Sequence, residues 1–252
     1  VSNFVYGYEY AVDVGLQPDH KIVFTGNNMD GFEMARLNVD GSFDTSFNEV
    51  VSNYFFSKSL TIQPDGKTIV AGKYAINFGL IRYNAAGMMD SSFGTNGITS
   101  ASLNYSFSDV SITLQPDGKI LAAGSIYAPY DAFVLVRFHS DGTRDSTFGM
   151  NGIVITEVNF QFNASGVELQ ADGKIVVAGI ASSDTLNNIV LARYDSTGAI
   201  DNAFGIGGIV MTEINSNDGA ITLQPDQKIV VCGTFWNGFN SDFELVRYHS
   251  DG

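Results

Sequence analysis

LQPDGKI, at residues 114–120, decides the fold, because five copies of this stretch run through the chain. The others are LQPDHKI from Leu16, IQPDGKT from Ile62, LQADGKI from Leu169 and LQPDQKI from Leu223. Successive copies start 46, 52, 55 and 54 residues apart. A period of this length marks one supersecondary unit copied along the chain, which buries its apolar face only by stacking on its neighbours.

The surroundings of the fourth copy show the grammar of a unit. IVITEV (153–158) is followed by the loop NFQFNAS, by GVELQ (166–170), by the turn ADG and by KIVVAG (174–179). A loop of variable length precedes NIVLARYD (188–195), and a long link carries Gly198, Asp201, Phe204, Gly205 and Gly208. Short β-branched runs separated by Gly, Asn and Asp read as strands, four to a unit. Five such units predict an all-β chain, a five-bladed β-propeller with four antiparallel strands per blade. The expected organisation is a single domain over 1–252, with units near 1–47, 48–94, 95–149, 150–205 and 206–252. On this phasing the chain starts at a first strand and ends just after a fourth. It opens on Val1, with no signal-type charged and apolar segment, which reads as a mature or excised portion of a protein.

The PDG turn has a mechanism. Pro presets φ at the second turn position, Asp suits the third, and Gly takes the left-handed position before the returning strand. His20 and Gln227 replace that Gly in the first and last copies. Each should carry strain of about 1–2 kcal/mol.

The last strand of a unit carries an arginine. In DFELVRY (242–248), Phe243, Leu245 and Arg247 share one face by alternation. An arginine on an apolar face needs a partner, since an unpaired buried charge is strongly destabilising. Asp44, Asp90, Asp145 and Asp201 follow Arg36, Arg82, Arg137 and Arg193 at a fixed offset of eight residues, so structural Arg–Asp pairs are expected. The chain reaches Gly252 before a fifth such Asp, which leaves Arg247 without one.

These residues resemble a known family. LQPDGKI, then DAFVLVRF and SDGTRDSTFGMNG (140–152), look like the delta-60 repeat, a β-propeller repeat of bacterial exported proteins. The resemblance covers essentially the whole chain, with departures at His20, Gln227, Asn48 (where other units have Gly after Phe) and the missing fifth link. It implies large bacterial surface or secreted proteins, often with neighbouring domains, and no catalytic residues to carry over.

Charge narrows the partners. The formal net charge is −14, from 27 acidic and 13 basic residues. Ten of the basic residues are fixtures of the repeat: the five arginines and Lys21, Lys67, Lys119, Lys174 and Lys228. Lys58, Lys73 and Arg144 remain, too few to track a phosphate backbone, so nucleic acid is not an expected partner. No apolar run is long enough for insertion into a membrane. Cys232 is alone, which rules out an intrachain disulfide. It replaces the Ala of VVAG and reads as a small buried residue. A surface rich in Asn, Ser, Thr, Gly and acids suits an extracellular or cell-surface location.

Loops alternate between the two ends of an up-and-down sheet. The PDG turn and the link therefore share one end, and the other two loops share the opposite end. The first pair repeats nearly unchanged; the second varies, and variation marks where a ligand is recognised. Its third-to-fourth-strand loops are NNMD (27–30), KYAIN (73–77), SIYAPYD (125–131), IASSDTLNN (180–188) and TFWNGFNSD (234–242). Tyr127, Tyr130 and Asp131, with Trp236, Phe239 and Asp242, form the candidate ligand-binding set. Aromatic faces stack on sugar C–H surfaces while carboxylates and amides take hydroxyls; the bland alternative is that the rings cap sheet ends or contact protein. Tyr105 and Phe107, Phe160 and Phe162, and Tyr6, Tyr8 and Tyr10 sit at two-residue spacing, which reads as packing between blades.

Other chemistry is weaker. NVDGSFD (38–44) and HSDGTRD (139–145) look superficially like calcium loops, but NAAGMMD and DSTGAID lack the middle acid. Turns closed by Asp hydrogen bonds explain all four. His20, His139 and His249 sit at turn positions without zinc spacing, so no metal and no cofactor is expected. No serine has a recognisable base. Rim acids Asp30, Asp109, Asp131, Asp184, Asp218 and Asp242 leave glycoside hydrolysis as a distant alternative. Asn104-Tyr105-Ser106 and Asn163-Ala164-Ser165 are sequons. The expected function is non-enzymatic: a surface binding or adhesion module for glycan or surface protein. Its first rival is a structural spacer that contacts neighbouring domains of a larger polypeptide.

Overall fold

The computed structural model describes residues 10–52, 55–74, 77–101, 106–127, 131–158, 161–182, 187–214, 216, 219–236 and 239–252, with backbone alone for 51, 106–108, 235 and 236. The fold is an all-β, five-bladed propeller of antiparallel sheets. The first sheet holds β1 (Tyr10–Leu16), β2 (Ile22–Asn27), β3 (Phe32–Leu37) and β4 (Val50–Ser52). The second holds β5 (Phe55–Ile62), β6 (Thr68–Tyr74), β7 (Asn77–Tyr83) and β8 (Ile98–Ala101). The third holds β9 (Ser106–Leu114), β10 (Ile120–Tyr127), β11 (Asp131–Phe138) and β12 (Ile153–Val158). The fourth holds β13 (Gln161–Leu169), β14 (Ile175–Ser182), β15 (Asn187–Tyr194) and β16 (Ile209–Thr212). The fifth has three described strands, β17 (Ala220–Leu223), β18 (Ile229–Trp236) and β19 (Ser241–Tyr248). Two compact units contain them: Val1–Asn104 with His139–Thr143, and Tyr105–Phe138 with Arg144–Gly252.

The sheets are phased one strand away from the sequence grammar. IVITEV does not pair with the following GVELQ; as β12 it closes the preceding sheet, with Asp131 opposite Val158 and Val136 opposite Ile153. Each sheet therefore starts at the strand ending in Leu-Gln or Ile-Gln and ends after the link. Alternation alone cannot tell which neighbour a strand joins, because its inward residues satisfy either. The same phasing leaves the fifth sheet with three described strands rather than four.

The turns follow their residues. In the first, the Gln17 N–H donates to the Lys21 carbonyl and the His20 N–H to the Gln17 carbonyl. Asp19 Oδ1 accepts the Lys21 N–H, and Asp65, Asp117, Asp172 and Asp226 repeat that bond. Gly66, Gly118 and Gly173 lie at φ of 82 to 84°, and His20 and Gln227 are forced to 64°.

Within each unit the sheets pack face on face. Phe32 and Met34 of the first sheet meet Phe55, Leu60 and Val70 of the second. Phe133 and Leu135 of the third meet Phe162, Val167 and Val177 of the fourth. Val176, Ala178 and Leu191 of the fourth meet Ile229 and Val231 of the fifth. The Phe133 and Phe162 rings lie 3.7 Å apart, so Phe162 packs between sheets. Its close fit requires Gly179, where a Cβ would sit 2.1 Å from the Phe162 ring. Tyr10, in contrast, is exposed, while Tyr6, Tyr8, Tyr105 and Phe160 and the Phe107 side chain lie outside the described residues. Burial of this apolar surface, at about 25 cal/mol per Å², is the main force holding the sheets together.

Candidate functional site

The turn-and-link end of the first four sheets is a network of paired side chains. Arg36 Nη2 lies 2.7 Å from Asp44 Oδ2, and Arg82, Arg137 and Arg193 Nε lie 3.0, 2.8 and 2.9 Å from the Oδ2 atoms of Asp90, Asp145 and Asp201. A lysine from the turn joins each carboxylate: Lys21 on Asp44, Lys67 on Asp90, Lys119 on Asp145 and Lys174 on Asp201. Beneath each arginine lies the ring of Phe47, Phe93, Phe148 or Phe204, 4.4 to 4.7 Å from the guanidinium carbon. A buried guanidinium thus has a charge, a π-face and hydrogen-bond acceptors around it, the condition under which burial of the pair is tolerated.

Charge is held firmly there. Hydrogen bonds from Ser92, together with the Arg82 charge, overcome desolvation and keep the Asp90 carboxyl down at about 2. Burial opposes ionisation of Asp145, but the Thr147 hydroxyl and N–H and the Arg137 charge prevail, again holding it at about 2. Asp44 is held lower still, chiefly by the Lys21 ammonium and the Ser46 hydroxyl. In the calcium-like stretch, Asp40 Oδ1 accepts from the Ser42 N–H and hydroxyl, and Asp44 Oδ1 from those of Ser46. These oxygens are engaged in closing turns.

The sequence reading missed the phenylalanines and the Gln of three of the turns. Gln17 Oε1 accepts from Arg36, Gln63 from Arg82 and Gln170 from Arg193. A signal was present for the rings: each Phe lies eleven residues after its arginine.

The opposite end carries the candidate ligand set. Tyr127 ends β10 half-buried, and its hydroxyl donates to Asn163 Oδ1 on β13, tying the third sheet to the fourth. That contact also occupies the asparagine of the second sequon. Asp131 begins β11, half-buried opposite Val158. Trp236 ends β18 opposite Ser241, and Asp242 lies exposed opposite Phe235. Phe239, in the connecting loop, is 86% exposed. Tyr130 and the Trp236 side chain lie outside the described residues. The structure therefore brings Tyr127 and Asp131 to one loop of the third sheet, and Trp236, Phe239 and Asp242 to one loop of the fifth. Among the rim acids, Asp109 sits within β9 at a bulge opposite Gly124 and Ser125, with φ of 24°. Asp184 and Asp218 lie outside the described residues. No group of three or more His, Cys, Asp or Glu side chains converges among the described residues.

Cys232 corrects an expectation. It is exposed, not buried. Its counterparts Ala123 and Ala178 are covered by the next sheet, and no described residue covers the corresponding face of the fifth.

Repeat, turn network and sheets together define a β-propeller repeat protein. The chain belongs to the family described as a domain of unknown function (DUF5122), a β-propeller, which matches residues 17–47, 63–93, 115–148, 170–204 and 224–252. No curated protein matches significantly. Among solved structures, a protein of unknown function from Dyadobacter fermentans is 11% identical, with 96% of this chain and 76% of that one covered and a TM-score of 0.66. An ulvan lyase of polysaccharide lyase family 25, bound to a sulfated glucuronate–rhamnose unit, is 8% identical over 94% of this chain and 67% of its own, with a TM-score of 0.59. An endo-arabinase from Bacteroides thetaiotaomicron is 11% identical over 95% and 93%, with a TM-score of 0.54. At these identities the likeness is one of fold.

Proposed function

We propose that this chain is a non-enzymatic binding or adhesion module of a bacterial surface or secreted protein, with glycan or surface protein held at the variable-loop end. The observation that carries the reading is the contrast between the ends. The repeated Arg, Asp and Phe side chains at the turn-and-link end are committed to one another, whereas at the variable end an aromatic ring, Phe239, is 86% exposed in the same loop as Asp242. Aromatic anchors with nearby polar groups are the usual make-up of a recognition surface. The resemblance to delta-60 repeats of exported proteins supports the location, and the net charge of −14 argues against nucleic acid. The ulvan lyase and the endo-arabinase are carbohydrate-active proteins of this kind of fold, which makes glycan the first class to try.

The lone tryptophan, Trp236, provides the assay. The protein is titrated with bacterial and plant polysaccharides and with surface extracts while tryptophan emission is followed. A saturable shift with one class, lost on Phe239→Ala or Tyr127→Ala in folded protein, supports binding. No shift anywhere removes the binding reading in favour of a spacer that contacts neighbouring domains. Release of reducing or unsaturated sugar, lost on Asp131→Asn or Asp242→Asn, would establish a hydrolase or lyase instead.

A further inference from the structure

Within a unit, the residue two before each turn Gln sits at the seam where a sheet meets the one that follows. In the first sheet it is Gly15, where a Cβ would lie 2.7 Å from Leu60 and from Ile62 of the second. In the third sheet it is Thr113, and in the fourth it is Glu168. The register settles which way Glu168 faces. It stands opposite Val176, and Val176 opposite Arg193, so all three share the face that meets the fifth sheet. Gly166, two residues earlier on that face, has no space for a Cβ, which would meet Ile221 Cγ2 at 2.4 Å. Glu168 therefore lies against the apolar side of β17, where Ile221 and Leu223 face the fourth sheet.

Among the described residues the Glu168 carboxylate has no hydrogen bond or ion pair, and burial pushes it above the usual glutamate value. The cations on its own face are engaged: Arg193 and Lys174 both hold Asp201, and Lys174 also holds Asp172. The described ionisable groups that face it from the fifth sheet are Glu244 and Tyr248, and the Tyr248 hydroxyl donates to Thr212. The third sheet packs on the opposite face of β13, against Phe162 and Val167. Of the three seams within units, this one is the most open. Ile221 is half-buried, where its equivalents Leu60 and Val167 are 7% and 5% exposed. Strand β17 has four residues, where β5 has eight and β13 nine.

We propose that Glu168 is an acid-operated clasp between the fourth and fifth sheets: ionised, it holds β17 off the seam, and protonated, it lets Ile221 and Leu223 close on β13. A charged carboxylate keeps its hydration, and water retained there separates the apolar side chains on either side. The neutral carboxyl is far less costly to cover. A carboxyl raised on folding contributes stability that is complete near the ordinary glutamate value and lost as pH rises through the raised one. That sign is opposite to the one for Asp90 and Asp145, and the change falls at higher pH. The clasp acts on the sheet whose β18–β19 loop carries Phe239.

The test is native-state hydrogen exchange on the whole 252-residue protein, read over Ala220–Leu223 and corrected for the intrinsic pH dependence of exchange. From about pH 8 down to about pH 5 the aspartates of the turn-and-link end stay ionised, so their network is constant. Protection of β17 should rise several-fold over that range, while β9 of the third sheet stays level. Glu168→Gln removes the charge and keeps the shape, and should hold β17 at its acid-level protection throughout. Glu168→Thr, which installs the residue found at positions 61, 113 and 222, should do the same. Glu244→Gln should leave the wild-type response unchanged. Wild-type protection of β17 that ignores pH overturns the inference. So does a pH response that survives Glu168→Gln, or one abolished by Glu244→Gln.

Discussion

The two ends of each sheet are built from the same strands and differ in what their side chains are for. At the turn-and-link end Arg137 has Asp145, the Phe148 ring and the Ser196 carbonyl, and the arrangement recurs with Arg36, Arg82 and Arg193. At the variable end Tyr127 has Asn163, and the Phe239 side chain is 86% exposed. In such a network the arginines and aspartates are already engaged with one another, and drawing one of them to a ligand would cost stability. The other end also holds structural contacts, such as Asn27 with Ser57, but they differ from sheet to sheet.

Substitutions at the two ends should therefore separate in size. Arg137→Ala removes the shortest ion pair of the fully buried Asp145 carboxylate, leaving it Lys119 and the Thr147 hydrogen bonds, and should cost about 3 kcal/mol in urea unfolding. A loss below about 1 kcal/mol would show that the network is slack.

Acid should act at the same end. Asp90 and Asp145 sit at about 2 in the folded chain, against about 3.9 for a free Asp. A depressed carboxyl contributes stability that is fully present above the unfolded value and lost as pH falls through the folded one. The melting temperature should therefore fall between about pH 4 and pH 2. Asp145→Asn should flatten part of that slope.

Smaller effects sharpen the contrast. His20→Gly relieves left-handed strain of about 1 kcal/mol and loses some of it to the freer unfolded chain, so thermal unfolding should show a gain below about 1 kcal/mol. Phe239→Ala, on an exposed ring, should move stability by no more than about 0.5 kcal/mol.

Much of this division was legible in the sequence. The LQPDGKI copies set the number of sheets, and the offset of eight residues from Arg36 to Asp44 pointed at the ion pair. The phasing was not legible, because the inward residues of IVITEV fit either neighbouring sheet and only the register with Asp131–Phe138 decides. The third partner of each arginine escaped for another reason: it is a backbone carbonyl in the next repeat, 49 residues away for Arg36 and 59 for Arg137. Cys232 was misread because burial belongs to the pair of sheets; its own strand resembles the others, and only the covering neighbour differs. The varied loops do not spell out a ligand.

Two rings or chains of equal exposure on opposite ends give the most direct test. Phe239 lies on the variable end and Ile206, 92% exposed, on the turn-and-link end. The measurement is the affinity of wild type, Phe239→Ala and Ile206→Ala for the polysaccharide or surface extract that shifts Trp236 emission. The account predicts a loss of about tenfold or more for Phe239→Ala, as expected when an aromatic anchor is removed, and no change for Ile206→Ala. Loss on Ile206→Ala with Phe239→Ala unaffected would place the ligand on the repeated end and contradict the division of labour drawn here.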